Sequence, residues 1–185
     1  MIDIERRKKL ALHLRHLSVG LISNDDFEEN LMDNVTYGWL PEQYYRSEEA
    51  KSDDKIIQPM LELCWGLYDD TRNHKLKGTD KLPKESFKVI ARCILFLQSS
   101  QEYEWPYFDT NNPLFKFSLG EIILSILSLG QYYRDKRKEK ELAYAEFQKL
   151  GNFEIWPFLN EQQYKEQLEL QPFLKAKLSI GIFIK

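Results

Sequence analysis

Apolar residues recur at helical spacing along most of this chain. Leu10, Leu14, Leu17 and Leu21 form one stripe, while Leu12 and Val19 fall on the opposite side of the same wheel, which predicts a first helix covered on both sides. Gly20 suits its C-terminal cap. Ser23 with Asp26 three residues on makes a short-chain capping box, opening a second helix to about residue 32 with Asp25, Asp26, Glu28 and Glu29 in its first turns. The third stripe is Ile56, Met60, Leu63, Cys64 and Leu67; because Pro59 cannot donate a backbone hydrogen bond, either its first turn is at 57–60 or the helix is kinked there. A fourth, central helix is predicted over 83–98, opened by Pro83 and carrying Phe87, Ile90, Ala91, Ile94 and Leu97 on one face. It ends before Trp105-Pro106, because the residue preceding proline is pushed out of helical geometry.

Ser118 and Glu121 form a full capping box ahead of Ile122, Ile123, Leu124, Ile126, Leu127 and Leu129. That predicts a helix bent at Gly130 and running through the charged stretch 134–141 to Leu150. Asn160 and Gln163 cap a last short helix before Pro172. The connection 33–52, with Gly38, Pro41 and many charges, reads as a mobile loop with one turn of helix after Pro41. In the tail, Leu178, Ile180, Ile182 and Ile184 alternate with other residues as a strand does. Such an edge would dock on its own domain or pair with a second copy, making a homodimer. The fold class expected is all-α: one domain over 1–185, about six helices, and a short C-terminal strand.

Composition changes this picture little, except in its rings. Phe, Tyr and Trp make up 14% of the chain, which favours a core of large planar side chains. A net charge of −3 offers no broad cationic field and argues against duplex nucleic acid as a partner. Cys64 and Cys93, the two cysteines, sit in apolar helical stretches and read as reduced core thiols, which suits a cytoplasmic compartment. The first residues run straight into charges with no apolar signal core, so export is not expected.

Four segments carry a resemblance: Asn24-Asp25-Asp26-Phe27-Glu28; Trp65-Gly66-Leu67-Tyr68-Asp69-Asp70-Thr71-Arg72; Ala91-Arg92-Cys93-Ile94-Leu95-Phe96-Leu97 leading to Glu102-Tyr103-Glu104-Trp105-Pro106; and Gly151-Asn152-Phe153-Glu154-Ile155-Trp156-Pro157-Phe158. Through them the chain resembles a family of small, functionally uncharacterised bacterial proteins. The resemblance implies a bacterial source and transfers no catalytic residue.

Three groups of residues could carry function. Asp69, Asp70 and His74 could act as acid and base or hold a divalent metal in a hydrolase or metal-dependent enzyme, although adjacent aspartates on a helix point to different sides. His13 and His16, three apart, read as border positions of the first helix, since no His-Glu-x-x-His spacing accompanies them. No metal or cofactor is therefore assigned. Tyr103, Trp105, Trp156 and Phe158, beside Pro106 and Pro157, form two aromatic-proline turns that either anchor a protein partner or plug the core. The apolar segment 114–133, followed by Arg134, Lys136, Arg137, Lys138 and Lys140, suggests membrane contact over 114–140, but only Ile122 to Gly130 is uninterrupted, too few residues for a span. No Gly-rich phosphate loop or nucleophile elbow occurs. The leading expectation is a non-catalytic protein-interaction module with an unidentified protein partner.

Overall fold

The computed structural model describes residues 1–44, 46–106 and 124–171. It is an all-α bundle in which eight helices have both bounds among these residues, and those residues hold no strand. In chain order they are α1 (Ile4–Ser18), α2 (Asn24–Asn34), α3 (Pro41–Tyr44), α4 (Glu48–Ser52), α5 (Ile57–Trp65), α6 (Lys84–Leu97), α7 (Gln131–Gln148) and α8 (Glu161–Glu169). The tail 178–184 and the Ser118/Glu121 box lie outside the described residues.

Local chemistry sets the helix ends. The Asp3 side chain accepts from the Arg6 amide at 3.0 Å, opening α1, and Gly20 takes φ +66 just past its end, a conformation that favours glycine. Ser23 and Asp26 close a reciprocal box at 3.2 and 3.0 Å ahead of α2. At α8, Asn160 accepts from the Gln163 amide at 3.0 Å. The Gln163 side chain in turn accepts from the Leu159 amide at 3.0 Å. Helix α5 starts at Ile57, where Pro59 falls within its first turn and costs no intrahelical bond.

The centre of the bundle is α1, packed on α2 and on α6. Leu10, Ala11, Leu14 and Leu17 are buried on this face. The other side of α1 departs from expectation: Leu12 and Val19 are 50% and 47% exposed, as is Leu21 beyond the helix end at 57%, and the buried Arg6 and Arg7 extend the Leu10 face by one turn instead. The connection 33–52 folds into α3 and α4, with Thr36 and Tyr44 inside the core. Before α7, the chain leaves helical geometry at Leu129 and Gly130, both left-handed at φ +52 and +83, so α7 restarts at Gln131.

Rings close the opposite end of the core. Phe96 on α6 meets Phe158 edge-on at 5.1 Å and Tyr103 at 6.1 Å, and Trp105 meets Phe147 of α7 at 5.2 Å and Phe153 at 6.1 Å.

Candidate functional site

Helix α5 ends at Trp65, so Asp69, Asp70 and His74 lie in a turn and not on a helix face. Asp69 accepts from the Thr71 hydroxyl at 2.7 Å and from its amide at 3.0 Å, an Asx turn that holds its carboxyl below the usual range. Arg72 pairs with Asp80 at 2.5 Å. His74 is fixed through its backbone: its amide donates to Asn24 Oδ1 at 2.7 Å, its carbonyl accepts from the Asn24 amide at 3.1 Å, and its Nδ1 lies 2.9 Å from the Arg72 carbonyl. Asn24 thus staples this turn to the start of α2. Asp69 and Asp70 are exposed, and none of the three lines the two clefts described next. His13 sits half-buried beside His16 and Lys9; burial first, then electrostatic repulsion from these two side chains, lowers its pKa. Among the described residues, no three His, Cys, Asp or Glu side chains group as metal ligands.

The two aromatic-proline turns, 51 residues apart from Trp105 to Trp156, pack on each other. Trp156 Nε1 donates to the Tyr103 hydroxyl at 3.1 Å, and Trp105 Nε1 donates to the Phe158 carbonyl at 3.4 Å. Tyr103, Trp105 and Phe158 are no more than 3% exposed, so their faces are spent on the core, whereas Trp156 stays half-buried. Burial pushes the Tyr103 hydroxyl up, keeping it protonated.

Two clefts flank Tyr103. One, of about 290 Å³, is walled by Pro59 and Leu63 of α5, Val89 and Arg92 of α6, Tyr103, Phe147 of α7, Phe153 and Trp156. Five separate stretches of chain converge there. Arg92 is its one charged wall residue, and the guanidinium Nε is buried without a hydrogen-bond partner. The other cleft, of about 640 Å³, runs past Lys51, Lys55, Gln58, Glu102 and Glu104 and mixes these charges with apolar walls from Ala50, Trp105 and Pro106.

Sequence reasoning missed the tandem ion pairs that anchor α1. Arg7 is fully buried and grips Asp54 with both arms, Nε to Oδ2 at 2.6 Å and Nη2 to Oδ1 at 2.8 Å, while Nη1 donates to the Gln101 carbonyl at 2.7 Å. Its guanidinium stands 5.4 Å from the Phe96 ring centre. Arg6, one residue earlier, pairs with Asp53 and with the Tyr37 hydroxyl. The available signal was two adjacent arginines in a helix first turn and two adjacent aspartates closing the 33–54 connection.

Of the segment 114–140, the described part begins at Leu124. Leu124, Ile126, Leu127 and Leu129 are 49%, 70%, 75% and 92% exposed, and α7 follows as a largely polar helix attached to the core through Phe147. No helix among the described residues is long and apolar enough to cross a membrane. No family model, curated protein or solved structure matches this chain.

Proposed function

We propose that this protein is a non-catalytic interaction module whose aromatic cleft receives a large apolar side chain from a protein partner. The observation that carries the reading is the cleft of about 290 Å³ between α5, α6 and the two stapled turns. Its walls are aliphatic and aromatic, and its volume suits one side chain better than a drug-sized ligand. Ring-to-ring contacts and the Trp156–Tyr103 hydrogen bond hold those walls, so little ordering entropy is lost on binding. By contrast, Asp69, Asp70 and His74 sit on an open turn, where the Asp69 carboxylate is already engaged.

Selection of peptides from a random library on the intact protein tests this. Enriched sequences are expected to share one bulky apolar anchor and to shift the Trp156 indole N–H resonance. Val89→Trp fills the cleft and should weaken these peptides about thirtyfold, the equivalent of losing one buried side chain at about 2 kcal/mol. Enrichment of no peptide, or peptides indifferent to Val89→Trp, refutes the reading.

A further inference from the structure

The outer face of α7 has a pattern that the cleft does not explain. Asp135, Lys138, Leu142, Glu146 and Lys149 follow one another at spacings of three and four, forming one stripe, and all five are exposed. The opposite face carries Phe147, which is buried, and Tyr144, which stacks on it at 6.4 Å between ring centres. Leu142 at the centre of the stripe is 60% exposed, an aliphatic side chain between charges of alternating sign. Lys138 and Glu146 stand equally far from Leu142, as do Asp135 and Lys149. At 1.5 Å per residue, each pair lies at matching heights on either side of it.

We infer that α7 pairs with the α7 of a second copy of this chain, antiparallel about a two-fold axis through Leu142. In that arrangement Leu142 packs on Leu142. Each Lys138 meets the second copy's Glu146, and each Asp135 meets the second copy's Lys149. A parallel pair would instead set Lys138 against Lys138 and Glu146 against Glu146, so the charge order selects the antiparallel form. Asp135 and Lys138 take no ion pair among the described residues, and the Glu146–Lys149 contact, 2.8 Å long and exposed, is of the weak kind that exchanges readily.

Sedimentation equilibrium of the full chain over a wide micromolar range tests the proposal. Wild-type protein is expected to dimerise, and Leu142→Glu and Lys138→Glu should each weaken the dimer at least about tenfold. Both positions are exposed, so circular dichroism should match wild type, as should melting at protein concentrations where wild type is monomeric. The double variant Lys138→Glu with Glu146→Lys restores opposite charges across the axis and should recover dimerisation; failure to recover overturns the antiparallel pairing. A protein that stays monomeric throughout, or a dimer indifferent to both single variants, overturns the interface. A monomer that floats with anionic vesicles through the Leu127–Leu129 tip also overturns it, assigning the face to lipid.

Discussion

Replacing Asp54 by Asn probes the buried ion pair at its most sensitive atom. The native carboxylate accepts from two nitrogens of Arg7, from the Asp3 amide at 3.0 Å and from the Ile56 amide at 3.4 Å. Every neighbour is a donor, so an amide NH₂ at this position must face one of them, and the fully buried Arg7 charge is left without its counter-ion. Removing one member of such a pair costs about 3–5 kcal/mol. Against a total stability of about 5–15 kcal/mol that is a large share, equivalent to a fall of about 10 °C in melting temperature for a chain of this length. Urea unfolding at neutral pH measures it directly. A loss under about 1 kcal/mol would refute the reasoning, because it is the value of a solvated surface pair. The acid side offers a second reading. Burial alone would raise the Asp54 carboxyl, but the Arg7 hydrogen bonds and charge, with the Asp3 and Ile56 amides, more than offset it and hold the carboxyl low. A depressed carboxylate contributes stability in full above its unfolded pKa of about 3.9 and loses it as pH falls through the folded value. Wild type should therefore lose stability below about pH 4 more steeply than Asp54→Asn. The double variant Arg7→Met with Asp54→Leu strands no charge and should cost less than Asp54→Asn alone.

Two further predictions follow from close packing. A Cβ at Gly151 would come within 2.6 Å of the Leu159 carbonyl and 3.0 Å of the Trp105 ring, so Gly151→Ala should destabilise by about 1–3 kcal/mol. At Gly66 the nearest atom is 3.5 Å away and φ is −71, so Gly66→Ala should be neutral or stabilising by up to about 1 kcal/mol; the difference between the two melting curves is the test. Cys64 and Cys93 are fully buried, Cys93 is pushed up to about 12 by burial, and burial with the nearby Cys93 raises Cys64 as well. Neither thiol should react with a disulfide reagent in the folded protein at neutral pH, and both should react on unfolding.

The readable parts of the fold were those settled within a few residues. Caps at Ser23, Gly20 and Asn160, the entry at Pro83 and the start of α5 depend on bonds to the next turn, and their residue types announce them. Arg7 and Asp54 pass unnoticed in the sequence because nothing local distinguishes a surface arginine from one whose partner is 47 positions away. Leu12 and Leu21 failed in the other direction: helical spacing marks a face as apolar, but only the neighbours that arrive decide whether it is covered. The candidate site divides similarly. Tyr103 and Trp156 stood out as aromatic residues beside prolines, whereas Leu63, Val89 and Arg92 were hidden in stripes that serve the core as well. The two aromatic-proline turns are contact partners, with Trp105 bonded to the backbone of the second turn.

That meeting also sets an order of events during synthesis. At about 5–20 residues per second, the Trp105 indole leaves the ribosome roughly 3–10 s before the Phe158 carbonyl it donates to. Through that interval Phe96 lacks the nearer of the two rings that pack on it, and Tyr103 lacks the indole that donates to it. Helices α1 to α6 therefore emerge as an open-ended assembly, with a sticky aromatic seam turned outward until Phe158 has been made. A ribosome stalled or a message cut short before this point would release a fragment whose exposed seam marks it for chaperones or proteolysis.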